Sequence, residues 1–170
     1  MATATREEGG VAVVVISQGP GREWLERERS IQGVENLLLL DYQPYGALPD
    51  ALASGDVLIT LLEPEAGQFS VPSKILSNLC AGRPQVVAVP AENLGARTVE
   101  RSGGGIVVDP SNRGAFVDAV RRLLADENLR VRLGGQARSY AEKFFPIDRV
   151  ASRFEEVLTA AAGRLSRQAS

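Results

Sequence analysis

Short apolar runs alternate with longer amphipathic segments along most of the chain, and this alternation predicts its secondary structure. Residues 11–16 form an unbroken, mostly β-branched run, and similar apolar runs occupy 37–40, 57–62, 85–89 and 105–108. Runs without polar alternation are typical of strands buried on both faces, as in parallel sheets. The pattern therefore predicts five strands.

Segments with the apolar spacing of helices lie between and after these runs. The predicted helices cover residues 22–32, 47–53, 71–81, 93–101, 113–125, 127–144 and 148–162. Gly82 is expected to end the third helix, Gly134-Gly135 weakens the sixth, and Pro146 separates the last two. Strand–helix alternation with short connections predicts right-handed crossovers. We therefore expect an α/β, Rossmann-like parallel sheet with helices on both faces and a helical C-terminal part.

The length of 170 residues fits a single domain. The polar and acidic residues 1–10 predict a disordered N-terminal segment, residues 11–163 the domain, and residues 164–170 a frayed tail. No apolar run approaches the length of a membrane span, and no secretory signal is visible. We expect a cytoplasmic protein without a transmembrane segment, and leave open peripheral contact with the inner membrane face.

Composition excludes several kinds of chemistry. The chain has no histidine, which excludes Ser–His and Cys–His nucleophile pairs and argues against a zinc site. We expect no metal. Cys80 is the only cysteine, so an intramolecular disulfide is impossible, and its apolar surroundings predict a small core residue. The net charge of −2 argues against nucleic acid as a partner.

Ligands of open parallel sheets bind at the carboxyl ends of the strands, which here selects the loops 17–21, 41–45, 63–74 and 90–93. The third loop is long and leads into a helix. Free backbone N–H groups of Ser73 and Lys74, together with the helix dipole, would form a phosphate-binding site, and the Lys74 ammonium would add a positive charge. The alternative is that Lys74 covers the first helical turn and faces water.

Two other groups of residues near these loops allow more than one interpretation. Gly19 and Gly21 follow a strand as in a dinucleotide fingerprint, with Asp41 about twenty residues on, but Trp24 stands where the third glycine belongs. We therefore favour a tight turn. Glu63 and Glu65 would bind hydroxyls or a cation, or would be exposed loop acids.

The order of several segments resembles the family-4 glycosyltransferases. The stretch 17–23 is similar to the family's G-D-G-P turn, and residues 36–57 are similar to its next strand with the following a-x-A-D-v segment. Residues 71–88 resemble its donor-site helix and strand, residues 99–108 its E-x-G-x-G-x-x-V segment, and residues 115–133 its paired helices. The likeness covers residues 11–160 through order and spacing rather than through a single decisive motif.

The resemblance implies one half of a GT-B fold, namely the C-terminal, donor-binding domain of an enzyme of polysaccharide or glycoconjugate biosynthesis. The implied partner is a nucleotide-diphospho-sugar with a UDP- or GDP-type base, and the implied reaction is retaining sugar transfer without an obligatory metal or other cofactor. The base would lie near Gln43 and Tyr45, and the ribose near Ser77. The diphosphate would lie over the helix start, at Val71, Pro72, Ser73 and Lys74. Sugar contacts would come from Glu65, Gly67, Gln68 and Phe69, while the resemblance assigns no catalytic residue.

The chain departs from the family pattern in three places. Phe69 and Ser77 stand where the family carries two glutamates, and a carboxylate binds ribose hydroxyls more strongly than a hydroxyl does. The family's opening strand, with its diphosphate-neutralising arginine and lysine, should precede Val11, and we expect the chain to lack this strand and the acceptor domain. We expect no turnover from the chain alone. The alternative hypotheses are a non-catalytic interaction module with a degenerate nucleotide cleft and an unrelated dinucleotide-dependent Rossmann enzyme.

Overall fold

The computed structural model describes residues 1–63 and 70–168, the last six of these by their backbone alone. The chain divides into two compact units, Met1–Ser54 and Gly55–Ser170. Every strand pairing described is parallel. The predicted Rossmann-like α/β class, with parallel strands and helices on both faces, is confirmed.

The first unit is built around a two-stranded sheet. Its elements are α1 (Ala2–Thr5), β1 (Val13–Ile16), α2 (Pro20–Gln32), β2 (Leu37–Leu40), a 3-10 turn (Tyr45–Ala47) and α3 (Leu48–Ala53). Strand β1 pairs with β2 in the register Val13↔Leu37 to Ile16↔Leu40. Its core consists of Ala2, Val34 and Leu37, with Val13, Val15, Leu25 and Leu39 packed against them.

Two features of the first unit differ from expectation. Residues 1–10, predicted to be disordered, include α1, because Ala2 and Thr5 are buried and Asn36 donates a hydrogen bond to the Thr5 hydroxyl. Strand β1 is not buried on both faces. Val14, Ile16 and their β2 partners Leu38 and Leu40 are exposed by 37–51%, since the described core residues of this unit pack against the opposite face.

The second unit contains a three-stranded sheet in the order β3-β4-β5. Strands β3 (Leu58–Leu61), β4 (Gln85–Ala88) and β5 (Gly105–Val108) alternate with α4 (Lys74–Ala81) and α5 (Leu94–Ser102). They are followed by α6 (Arg113–Ala125), α7 (Glu127–Phe144) and α8 (Ile147–Gln168). All four residues of the central strand β4 are buried. Because successive side chains of a strand point to opposite faces, both faces of this strand are covered.

The core of the second unit lies between the sheet and helices α4, α5 and α7. Its buried members are Ile75, Leu79, Val87, Val89, Ala96, Val99, Ala137 and Ala141. A buried polar group lies beside it: the side-chain amide of Asn78 on α4 donates to the Thr60 hydroxyl and to Gln85 Oε1, both at 3.2 Å. These bonds fix α4 to the two strands that it crosses.

Most boundaries predicted from the sequence agree with the structure to within three residues. Helix α8 differs more: its helical backbone continues through Gly163 to Gln168, so the predicted end at 162 and the frayed tail predicted from residue 164 were wrong. Helix α4 begins at Lys74 rather than at 71, because Pro72 disfavours helical backbone at the residue before it. Cys80 is exposed, so its prediction as a core residue was wrong. The buried positions of α4 are Ile75, Asn78 and Leu79, which leaves Cys80 on the opposite side of the helix.

Helix α7 remains continuous through Gly134-Gly135. A Cβ added to Gly134 would lie 2.5 Å from the carbonyl oxygen of Gly82, whereas one added to Gly135 would meet nothing within 4 Å. Gly134 therefore permits the close approach of α7 to the end of α4, where Gly82 has the left-handed φ of 65° that terminates the helix. None of the described helices combines the length and apolarity that crossing a bilayer requires.

Candidate functional site

Three helices of the second unit begin at the same edge of its sheet. Helices α4, α5 and α6 each follow a parallel strand, so their N-termini lie at the carboxyl ends of β3, β4 and β5. This is the edge at which open α/β sheets bind ligands. Ser73, Asn93 and Asn112 are the N-cap residues there.

Within the described residues, two backbone N–H groups at the start of α4 have no hydrogen-bond partner. The N–H of Ile75 donates to the backbone oxygen of Pro72, and the N–H groups of Leu76 and Ser77 donate to the backbone oxygen of Ser73. No hydrogen bond from the N–H of Ser73 or Lys74 occurs within the described residues. The Ser73 side chain makes no capping bond, and both residues are exposed. Free N–H groups at a helix start, with the helix dipole behind them, suit an anion.

Lys74 lies at the first helical position and is exposed. Across the described part of the chain no carboxylate lies within ion-pair distance of its ammonium. The helix start therefore combines two exposed residues, Ser73 and Lys74, whose amides have no partner within the described residues, with the cationic side chain of Lys74. Val71 is 48% exposed and Pro72 is partly buried, so these two form the approach to the helix.

Asn93 joins this segment to the start of α5. Its Nδ2 donates to the carbonyl oxygen of Ser70 at 2.7 Å, and its Oδ1 accepts from Gly95 N–H at 2.7 Å. The side chain is only 5% exposed. A Cβ on Gly95 would lie 2.6 Å from Ile75 Cδ1 and 3.6 Å from Pro72 Cδ, which shows how closely α5 approaches the beginning of α4.

Ser77 lies one turn into α4 and is exposed. The next residue, Asn78, is 4% exposed and makes the buried bonds to Thr60 and Gln85. Ser77 therefore lies in the helix that Ser73 caps and Lys74 begins. The bonds of Asn78 hold this helix on the sheet.

The residues expected to lie near a base are in the first unit. Gln43 Nε2 donates to the backbone oxygen of Asp41 at 2.9 Å, and Tyr45 begins the 3-10 turn with 90% of its surface exposed. Both follow the carboxyl end of β2. The predicted base contacts therefore belong to the first unit, and the predicted diphosphate and ribose contacts belong to the second.

The Gly19–Gly21 segment forms a tight turn. Gly19 has a φ of 87° and Pro20 begins α2, so the glycine supplies a backbone conformation that other residues rarely adopt. Asp41, weighed as a ribose ligand in the dinucleotide interpretation, forms an ion pair with Arg22 in the first turn of α2. Arg22 also contacts Glu26 at 3.2 Å. This pairing favours the structural interpretation of the turn.

Part of the predicted site lies outside the described residues. Glu65, Gly67, Gln68 and Phe69, predicted to contact a sugar, belong to the segment 64–69, which the structure does not describe. Glu63 immediately precedes it and is exposed.

The sequence pattern selects the loop 90–93 but does not single out Asn93. It also gives no sign of the ion pair between Arg22 and Asp41. The sequence does contain a signal for the capping role of Asn93, because an asparagine directly before a helical segment is a typical N-cap. Its bond to Ser70, 23 residues away, has no counterpart in the local sequence pattern.

Asp109 follows β5, and its Oδ1 accepts from the hydroxyl and the backbone N–H of Ser111. Both bonds lower the pKa of Asp109 from its ordinary value of 3.8, and the bond from the hydroxyl has the larger effect. Both act in this direction because they stabilise the charged form. We expect Ser111→Ala to raise this pKa in an NMR titration of the carboxylate. Because the pKa of Asp109 is lower in the folded state, these two bonds stabilise the fold at pH values above the unfolded-state pKa. This stabilisation is lost as the pH falls through the folded-state pKa. An unchanged pKa in Ser111→Ala would contradict this cause of the shift.

Comparison with known proteins gives four relevant matches, of which two are a family model and a relative in sequence. A family model described as glycosyl transferases group 1 matches residues 1–126. The chain is 28% identical over 141 residues to a protein of Escherichia coli (strain K12), WcaI, assigned as a colanic acid biosynthesis glycosyl transferase. That alignment covers 82% of this chain and 34% of the relative, so the chain spans about a third of the relative's length.

Two solved structures share the fold. Anabaena Alr3699/HepE, in complex with UDP-glucose, matches with a TM-score of 0.75 and 17% identity, over 94% of this chain and 44% of its own. The sucrose-phosphate synthase of Thermosynechococcus elongatus matches with a TM-score of 0.76 and 17% identity, over 96% and 41% of the two chains. The chain therefore has the fold of less than half of each of these enzymes.

Proposed function

This chain belongs to the group 1 glycosyl transferases, and on that premise we propose that it binds a nucleotide-diphospho-sugar as the donor-binding half of a GT-B enzyme of polysaccharide or glycoconjugate biosynthesis. It corresponds in this proposal to the C-terminal domain of family-4 enzymes. The reaction breaks the bond between the anomeric carbon and the diphosphate oxygen, which keeps the electron pair. The oxygen of an acceptor hydroxyl then bonds to that carbon with retention of configuration, and the hydroxyl proton passes to the departing diphosphate. We place the protein in the cytoplasm.

The observation that carries the proposal is the start of α4. Ser73 and Lys74 are exposed residues whose N–H groups make no hydrogen bond within the described residues, and the Lys74 side chain adds a cation at the first helical position. A departing diphosphate gains negative charge, and preorganised donors aimed at developing charge are the main source of catalysis in such a reaction. In this scheme the donors and the ammonium, rather than a metal ion, stabilise the leaving group. Catalytic residues beyond these are not assigned.

Two further observations support a nucleotide-sugar as the ligand. The structurally similar HepE was solved with UDP-glucose, and the α4 start lies at the carboxyl edge of a parallel sheet, where such ligands bind. In the proposed complex the diphosphate contacts Ser73 and Lys74, and the ribose approaches Ser77. Gln43 and Tyr45 are proposed to contact the base.

Exposed apolar surfaces support the proposal that further polypeptide completes the enzyme. On α8 the side chains of Ile147, Phe154, Val157 and Leu158 are exposed by 64–77%, and exposed apolar surface of this kind is typical of surfaces that another polypeptide covers. We propose that an acceptor-binding domain or subunit is needed for turnover. The chain by itself is expected to bind a donor nucleotide without transferring the sugar.

Calorimetric titration with UDP, GDP and dTDP tests the proposal. We expect at least one nucleotide to bind the unaltered chain, and we expect Lys74→Ala to weaken that binding about 10-fold, because a charge-assisted hydrogen bond contributes about 1.5 kcal/mol. Lys143→Ala is the matched control, since Lys143 is the only other lysine and lies over the Phe144 ring on α7. The control is expected to leave the affinity unchanged.

The same titrations run with EDTA and with added Mg²⁺ test independence from a metal. Equal affinities are expected under both conditions. Absence of binding for all three nucleotides, or equal weakening by the two lysine substitutions, would overturn the proposal and favour a non-catalytic interaction module.

A further inference from the structure

The carbonyl group of Ser70 is held by a side chain from a different helix. Asn93 Nδ2 donates to it at 2.7 Å, and the Asn93 side chain is 95% buried by its surroundings, with only 5% exposed. The other end of the same amide, Oδ1, caps α5 through Gly95 N–H at 2.7 Å. One side chain thus fixes the segment before α4 and the first turn of α5 at the same time.

The Ser70 carbonyl matters because of its position relative to Lys74. In an α-helix each N–H donates to the carbonyl four residues earlier, so a helix extended by one turn would pair Lys74 N–H with Ser70. Here that carbonyl accepts from Asn93, and no bond from Lys74 N–H to it occurs among the described residues. Pro72 acts in the same direction, since it disfavours helical backbone at Val71.

Packing reinforces this hydrogen bond. Gly95, the residue whose N–H Asn93 accepts, approaches both Ile75 and Pro72 so closely that a Cβ there would lie 2.6 Å from Ile75 Cδ1. Ile75 is fully buried. The residues on both sides of Ser73 and Lys74 are therefore set against the start of α5, whose own geometry depends on the Asn93 cap.

We propose that Asn93 is a positioning residue for the diphosphate site: it occupies the Ser70 carbonyl that would otherwise accept from Lys74 N–H, and so keeps the Lys74 amide free for the ligand. Asn93 itself contacts neither phosphate. This inference rests on the proposed function. It adds that a residue of the β4–α5 loop sets the anion affinity of the α4 start.

Asn93→Ser separates the bond to Ser70 from the bond to Gly95. Serine is a good N-cap, so the cap of α5 is kept, while its short side chain cannot reach Ser70. We expect the affinity for UDP and for inorganic pyrophosphate to fall about 5- to 10-fold, as for loss of a well-positioned hydrogen bond. The melting temperature is expected to stay close to that of the unaltered chain.

The matched control is Asn112→Ser. Asn112 caps α6 through Ala115 N–H at 2.9 Å, and the substitution is the same change at another helix cap. It is expected to leave both affinities unchanged.

A second measurement follows the amides themselves. In 15N-labelled protein we expect pyrophosphate to shift the backbone N–H resonances of Ser73 and Lys74, and we expect these shifts to shrink in Asn93→Ser. A purely structural role would lower the melting temperature without this selective loss.

Asn93→Asp offers a further variant, because aspartate caps helices but cannot donate to Ser70. The same loss of pyrophosphate affinity is expected for this variant, and salt screens little of its added charge at a buried position.

The outcomes distinguish the two proposals. If the unaltered chain binds neither UDP nor pyrophosphate, the proposed function fails and this inference fails with it. If the unaltered chain binds but Asn93→Ser and Asn93→Asp retain full affinity, the positioning role alone is overturned.

Discussion

Replacing Gly134 with alanine is expected to destabilise the protein by about 1–3 kcal/mol, whereas the same change at the adjacent Gly135 is expected to stabilise it by up to about 1 kcal/mol. Both glycines lie in the interior of α7. Alanine is the better helix former at both positions, because glycine loses more backbone entropy when it becomes ordered. The difference comes from tertiary contacts alone.

At Gly134 the new methyl group would lie 2.5 Å from the carbonyl oxygen of Gly82. That oxygen belongs to backbone held in the left-handed turn after α4, so it cannot move aside as a flexible side chain would. At Gly135 no atom lies within 4 Å of the added carbon. The two substitutions are therefore chemically identical and differ only in what the methyl group meets.

Urea unfolding followed by circular dichroism measures both effects. We expect the midpoint to move down for Gly134→Ala and up for Gly135→Ala, with similar slopes if both transitions remain two-state. Equal shifts of the two midpoints would mean that α7 does not approach Gly82 as the structure describes.

Asn78→Ala is expected to cost about 3 kcal/mol of folding free energy. The substitution leaves the Thr60 hydroxyl and Gln85 Oε1 without the donor that each now has at 3.2 Å. Thr60 is 2% exposed and Gln85 is fully buried, so water cannot replace the lost bonds. A buried polar group without a partner costs about 1–3 kcal/mol.

Asn78→Leu and Ser77→Ala complete this experiment. Leucine fills the space of the asparagine but supplies no donor, so a comparable loss is expected if the hydrogen bonds rather than the cavity dominate. Ser77 is exposed on the same helix, and its replacement is expected to change stability by less than about 0.5 kcal/mol. An Asn78→Ala variant as stable as Ser77→Ala would show that the buried bonds contribute nothing.

The parallel α/β class was predictable because it depends on local patterns. Strand β4 is apolar at nearly every position and is buried on both faces, and α5, α6 and α7 begin and end within about one residue of prediction. Strand β1 shows the limit of this reasoning. Its sequence is as apolar as that of β4, yet Val14 and Ile16 are exposed, because burial depends on what packs against a strand as well as on its own residues.

The helix start that carries the candidate site was predictable in part for the same reason. The sequence indicated a helix start near Ser73 and Lys74, and α4 begins at Lys74. It did not indicate the bond from Asn93 to Ser70, since the two residues are 23 positions apart and only folding brings them together.

The amino-acid sequence by itself therefore determined where most strands and helices form, because apolar spacing, proline, glycine and capping residues act over a few neighbouring positions. Tertiary structure decided which apolar side chains are covered, which glycine of the 134–135 pair is indispensable, and which side chain holds the Ser70 carbonyl. Those properties depend on distances between residues far apart in the chain, and such distances exist only after α4, α5 and α7 have packed on the sheet.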